Sequence, residues 1–174
     1  MTAKEVLIWP DPNLSKTSMP IEEVDESIRA LASELIATME YEGNSAGIAA
    51  PQIGIHKRIF IAHIPPSDNN GNGTNGPEAF INPEFILKEG DLHWEEGCLS
   101  IPGERGWVTR SSRVIMRYLD LNGEQQEKEA FDYLAGCFQH EADHLDGKLW
   151  IDYQSPLKRN LVRKKMLKLK KQNG

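Results

Sequence analysis

His140 and His144 are separated by three residues within a proline-free stretch, Asp132 to Leu145. On a helix that spacing turns both imidazoles to one face a single turn apart, where they can share one ion. It also sets Glu141 beside the open coordination position. The chain must therefore supply a helix here and arrange everything else around it. Asp132 is the expected N-cap, and Gly147 stands just past the end, where glycine commonly takes a left-handed conformation. Tyr133, Cys137, His140, Glu141 and His144 fall along one side of this helix.

Two histidines do not complete a catalytic metal site, which usually takes three protein ligands and leaves one position for water. In the extended metzincin pattern a third histidine follows at the sixth position after the second, and here Trp150 stands there. Thermolysin-like sites use a downstream glutamate, and no glutamate follows Glu141. The third ligand is therefore sought upstream, in Glu95-Glu96-Gly97-Cys98-Leu99-Ser100, flanked by the turn-forming pair Pro102-Gly103. Cys137 competes, but it lies seven residues before His144, about 10 Å along a helix. Cys98 is the better candidate, and Cys137 reads as a small buried hydrophobe near the site. His56, His63 and His93 read as surface or strand residues.

Ile21, Val24, Ile28, Leu31, Leu35 and Met39 recur every three or four positions, which predicts a helix from the Asp25 region to about Glu40. Gly43-Asn-Ser ends it. Ala46 to Ala50 reads as a short apolar strand or loop, Arg58 to Ala62 as a strand, and Ala79–Leu87 and Arg113–Leu121 as extended. Asn122-Gly123 signals a hairpin into Gln125–Phe131. Residues 65–77, rich in Asn, Gly and Pro, cannot bury a core and read as a mobile surface loop rather than a domain boundary. Ser155-Pro156 opens a last helix, to about residue 171, carrying Leu157, Leu161, Met166 and Leu169 among its lysines. The expected fold is one α+β domain over residues 1–174. Antiparallel or mixed sheets surround the central His-Glu-x-x-His helix, with an N-terminal and a C-terminal helix beside them.

The net charge of −6 is unevenly spread: from Ser155 onward there are eight Lys or Arg and no Asp or Glu, which leaves the first 154 residues at −14. An acidic body argues against a general nucleic-acid binder, whereas a basic tail can meet an RNA-rich or acidic partner. No stretch approaches the roughly 20 apolar residues of a membrane span, and the short apolar run Val6 to Trp9 is no secretory leader. We expect a cytoplasmic chain with two free thiols and no membrane partner.

Three separated segments, Gly47-Ile-Ala-Ala-Pro-Gln52, Glu96-Gly-Cys-Leu-Ser100 and Gln139-His-Glu-Ala-Asp-His144, resemble the three signature motifs of peptide deformylases, in that family's order. Similarity also runs through Ile101–Arg105 and Gly147–Leu157, so it covers most of the chain from about Gly43 onward. The resemblance implies a hydrolase that removes the formyl group from the N-terminal formylmethionine of nascent polypeptides. It implies one divalent ion on Cys98, His140 and His144, ferrous iron as a rule, with zinc, nickel or cobalt able to substitute. Glu141 would take a proton from the attacking water and return one to the departing amine. The Gln52 amide and the Leu99 backbone N–H would face the charge developing on the formyl oxygen. The peptide would lie extended near Ala46, Gly47 and Gly97, with the methionine side chain against Trp94, Tyr133, Gly136 and Cys137. For a C-terminal helix of this kind the resemblance implies docking at the ribosome, and the other reading of its lysines is a solvated face on a helix docked by its apolar stripe.

Two positions depart from the family's pattern. Ser45 stands where the first motif usually begins with Gly, and Gly136 stands where a larger aliphatic residue is common, so the methionine pocket is expected to be either roomier or filled from elsewhere by Trp94. Two other readings predict different outcomes. A His-Glu-x-x-His metallopeptidase would cleave unformylated peptides, and a structural-metal domain with an RNA-binding tail would close its site with four ligands and unfold without metal.

Overall fold

The computed structural model describes residues 2–66 and 72–173. Seven strands and three long helices follow one another as α1 (Glu26–Glu42), β1 (Gly47–Ala49), β2 (Ile59–Ala62), β3 (Glu78–Glu89), β4 (Leu92–Cys98), β5 (Ile101–Arg110), β6 (Arg113–Leu119), β7 (Gln125–Phe131), α2 (Asp132–Leu145) and α3 (Pro156–Asn173). All named strand pairs are antiparallel. Five strands form one sheet in the order β1-β2-β3-β6-β7, and β4 and β5 form a separate two-stranded ribbon. This is the α+β arrangement expected, with α2 at its centre.

Alternation along β2 explains why. Successive strand residues point to opposite faces, and here both faces are covered. Ile59 and Ile61 join the core that takes Ile28, Leu31, Leu35 and Met39 of α1. Phe60 and Ala62 join a second core with Phe80 and with Leu134, Ala135, Phe138 and Leu145 of α2. Phe80 stacks on Phe60 at 5.1 Å between ring centres and meets Phe138 at 4.9 Å, which seats α2 on the sheet. A third core, with Trp9, Leu14, Ile101, Val108, Trp150, Val162 and Met166, lies under the ribbon and α3.

Helix α2 is pinned at its middle and at its C-terminus. Gln139 accepts from Ser111 N–H at 2.9 Å and donates to Ser111 O at 2.8 Å. At the C-terminus the Leu145 carbonyl accepts from Ser18 N–H at 2.8 Å and from Arg58 Nη1 at 3.0 Å, a cation where the helix dipole favours one. Gly147 has φ +75°, and a Cβ there would meet the Ser15 carbonyl oxygen at 2.5 Å, so glycine is required on both counts.

Four expectations are corrected. The N-cap of α2 is Phe131, and Asp132 is the first helical residue, with φ +50° and no side-chain cap bond. Pro102 and Gly103 lie inside β5, and the turn is Leu99-Ser100. The apolar stripe of α3 is Val162, Met166 and Leu169, whereas Leu157 and Leu161 are exposed. Of the 65–77 loop, residues 67–71 lie outside the described residues, but Thr74 is buried and its hydroxyl accepts from Ile64 N–H at 2.8 Å, so this part is anchored.

Candidate metal centre and active-site cleft

Cys98 closes β4 while His140 and His144 stand one turn apart on α2, and their ligand atoms all lie within 4.8 Å of one another. The Cys98 Sγ to His144 Nε2 separation is 3.6 Å. Ligand atoms about 2.0–2.3 Å from a shared tetrahedral ion sit roughly 3.5 Å apart, so the donor set fits a divalent metal. His140 turns Nδ1 to Glu96 Oε1 at 2.6 Å, leaving Nε2 for the ion.

Glu141 follows His140 and is buried; its Oε1 has no hydrogen-bond partner, and its Oε2 lies 4.0 Å from His140 Nε2. A Cβ at Gly47 would come 2.8 Å from that same Oε2, so the glycine lets β1 pass directly over the carboxylate. Burial pushes the Glu141 carboxyl up to about 7, with His140 opposing and Glu96 adding to the rise. A carboxyl poised there can both take and give a proton near neutral pH. Burial and the neighbouring His140 hold His144 well below the ordinary histidine range.

Behind the ligands runs a polar chain that the spacing of motifs does not reveal. Glu96 takes Arg110 Nε at 2.8 Å and Nη2 at 3.0 Å. Arg110 Nη1 reaches Asp143 at 2.5 Å, and Asp143 accepts from the Tyr153 hydroxyl at 2.7 Å. Burial raises the Glu96 carboxyl, but the hydrogen bonds from Arg110 and His140 outweigh it and bring the group to about 2. Glu96 belongs to a recognised motif, yet only its position two residues before Cys98 hinted at a role. Arg110, distant in sequence, gave no sign.

Gln52 is buried and fixed at both ends: its Oε1 accepts from Ala49 N–H at 2.9 Å, and its Nε2 donates to Ser100 Oγ at 3.1 Å and Cys98 Sγ at 3.5 Å. The N-terminal segment braces the same residues from behind, with Leu7 N–H on Gln52 O at 2.8 Å and Trp9 N–H on Ser100 O at 2.9 Å. Leu99 sits in the turn between β4 and β5.

These groups open on a cleft of about 550 Å³ whose lining includes Ala46, Gly47, Gln52, Trp94, Gly97, Cys98, Leu99, Tyr133, His140 and Glu141. The lining does not include Gly136 or Cys137: Trp94 covers Gly136, and burial pushes the Cys137 thiol up to about 12. His56 bonds the Asn13 carbonyl and His93 stacks on Trp107; neither joins the ligand cluster.

Residues 3–160 match the polypeptide deformylase family. The chain belongs to that family. It is 43% identical to the peptide deformylase of Stenotrophomonas maltophilia (strain K279a) over 98% of each chain. A crystal structure of the peptide deformylase from Ehrlichia chaffeensis superposes with a TM-score of 0.92 at 34% identity, covering 99% of both chains. A second structure of the Ehrlichia chaffeensis deformylase, in complex with actinonin, gives 0.90 at 36% identity, covering 97% of this chain and 98% of that one. The chain is thus a metal-dependent peptide deformylase, a hydrolase that removes the formyl group from the N-terminal methionine of nascent proteins. Nothing in these likenesses supports the peptide-bond hydrolase. The family match begins at residue 3, so it includes α1, which lies ahead of the three motifs.

Proposed function

We propose that Cys98, His140 and His144 hold one ferrous ion during deformylation, with zinc, nickel or cobalt able to replace it, and that Glu141 is the general acid and base. The observation that carries this reading is the buried Glu141 carboxylate with an unpartnered oxygen, poised near pH 7 beside a Cys, His, His donor set. One thiolate and two imidazoles suit a first-row divalent ion, and the family's usage favours iron. When bound, the ion supplies an electrophilic centre that makes water a nucleophile at neutral pH.

Glu141 accepts the proton of the water that attacks the formyl carbon. Negative charge gathers on the formyl oxygen, where the Leu99 N–H and one Gln52 Nε2–H donate. Gln52 can release its longer bond, 3.5 Å to Cys98 Sγ, and keep Ser100. The carbon–nitrogen bond then breaks, Glu141 returns the proton to the departing methionine nitrogen, and formate leaves.

The peptide lies extended in the cleft. Among the described residues, strand β1 is an edge of the five-stranded sheet and β4 pairs only with β5, so each has one free edge. Ala46 and Gly47 on one side and Gly97 on the other offer backbone groups to an added strand. Trp94 and Tyr133 meet the methionine side chain, with Gly136 and Cys137 behind them. The whole chain, 1–174, acts as one cytoplasmic domain, and the eight cations beyond Ser155 draw α3 to the RNA-rich surface of the ribosome. In support, no helix among the described residues is long and apolar enough to cross a membrane.

The test is an anaerobic assay of iron-loaded protein on formyl-Met-Ala-Ser and on Met-Ala-Ser, following formate and new amines. Formate is expected from the formylated peptide alone, and Glu141→Ala should lower the rate by roughly 10²- to 10⁴-fold. A Glu141→Ala variant that keeps its rate would remove the carboxylate from the mechanism.

A further inference from the structure

Neither the three ligands nor Glu141 accounts for the way Trp94 is seated. Although the indole lines an open cleft, where water could take its N–H, Nε1 points inward and donates to Glu96 Oε2 at 2.8 Å. The ring lies on Gly136, one helical turn ahead of His140. A Cβ at that position would overlap the six-membered ring of the indole. Glycine inside a helix destabilises it relative to alanine, so its place here has a use: it makes the bed for the indole. Tyr133 meets the ring edge-on, with centroids 5.4 Å apart and planes at 86°.

An ionised carboxylate offers about four acceptor sites, and Glu96 fills them all. Oε2 takes Trp94 Nε1 and Arg110 Nε; Oε1 takes Arg110 Nη2 and His140 Nδ1. Arg110 alone grips both oxygens but leaves the plane of the carboxylate free to tilt about that fork. The indole approaches from β4, the strand that carries Cys98, and closes the remaining freedom.

We propose that Trp94 is a positioning residue for the metal centre: its N–H, bedded on Gly136, locks Glu96 and thereby fixes the orientation in which His140 presents Nε2. This rests on the reading of Cys98, His140 and His144 as ligands. Trp94 thus joins the wall of the methionine pocket to a ligand's hydrogen-bonding partner.

The measurement is Co²⁺ affinity, by competition with a chromogenic chelator, together with the cobalt–thiolate absorption, on the wild-type chain, Trp94→Phe and the double variant Trp94→Ile/Gly136→Leu. Phenylalanine keeps a ring and loses the N–H; the double variant refills the space with aliphatic volume and also lacks the N–H. Thermal unfolding of the metal-free proteins verifies that each folds. Both variants should bind Co²⁺ on the order of 10-fold more weakly, the usual scale for losing a partner behind a ligand. Wild-type affinity in Trp94→Phe, or its full recovery in the double variant, would make Trp94 a packing residue and overturn the inference. Absence of a cobalt–thiolate band in the wild-type chain would overturn the ligand assignment itself, and this inference with it.

Discussion

Helices α2 and α3 both meet the β4–β5 ribbon, but by different physics. Helix α2 meets it through buried polar groups: His140 on Glu96, and Asp143 on Arg110 of β5. Helix α3 meets it through an apolar core that Val162 and Met166 share with Ile101 and Val108, with Lys165 Nζ on Glu104 at 3.2 Å at the exposed rim. A buried charge has one acceptable set of partners, because an unmatched one cannot be hydrated. Apolar contact is non-directional and tolerates small slides. The contact that holds the proposed metal ligands is therefore the rigid one, and the contact that carries the basic helix is the permissive one.

Breaking the polar contact should cost most. Glu96→Ala leaves the Arg110 guanidinium, with a side chain only 5% exposed, paired with Asp143 alone, and it strips His140 Nδ1 of its acceptor. Unfolding in denaturant of the metal-free protein should show a loss of about 3 kcal/mol at neutral pH, the scale of an orphaned buried charge. The pH dependence sharpens this. Glu96 is depressed to about 2 in the folded state from an ordinary 4.5, so its stabilisation is present above 4.5 and fades as pH falls toward 2. The gap between wild type and Glu96→Ala should narrow across that window; a constant gap would mean that charge is not what holds the contact.

The apolar contact predicts a smaller effect with no such signature. Met166 is 3% exposed in the third core. Met166→Ala should cost about 2 kcal/mol, the low end for a buried methionine, since a helix end can settle into the space. The loss should not vary between pH 4.5 and 7, and Co²⁺ affinity should stay at the wild-type value. A Met166→Ala chain that also loses metal affinity would show that α3 shapes the site through β5, and the contrast between the helices would fail.

The same contrast decides what could be read from the sequence. Helices α1 and α2 and the pair β6–β7 were legible because period and turn chemistry are local signals, and Asn122-Gly123 marks its hairpin without help from the rest of the chain. The pairing of His140 with His144 was legible because a helix fixes it by spacing alone. Strands β4 and β5 were not: their apolar residues are sparse, Pro102-Gly103 imitates a turn, and the ribbon is defined by partners far along the chain. Arg110 was invisible for the same reason, since its two carboxylates come from β4 and α2. The apolar stripe of α3 was half legible. Four leucines and methionines fit a helical period, but which of them face the core depends on where the helix lands, and Val162 displaced Leu157 and Leu161.

Those two displaced leucines give the smallest expected effect and the cleanest separation of folding from docking. Leu157 is 71% exposed and Leu161 is 53% exposed, one turn apart on a helix with eight nearby cations. The double change Leu157→Ser and Leu161→Ser removes no core contact, so stability should move by no more than about 0.5 kcal/mol. Formate release from formyl-Met-Ala-Ser should be unchanged. If α3 meets the ribosome by charge alone, co-sedimentation with ribosomes should keep its strength and its steep weakening with salt. Weaker co-sedimentation at every salt concentration would mean that the exposed leucines enter the contact. A drop in stability of 1 kcal/mol or more would instead mean that α3 leans on the body with its outer face, and that its contact is less permissive than its core packing implies.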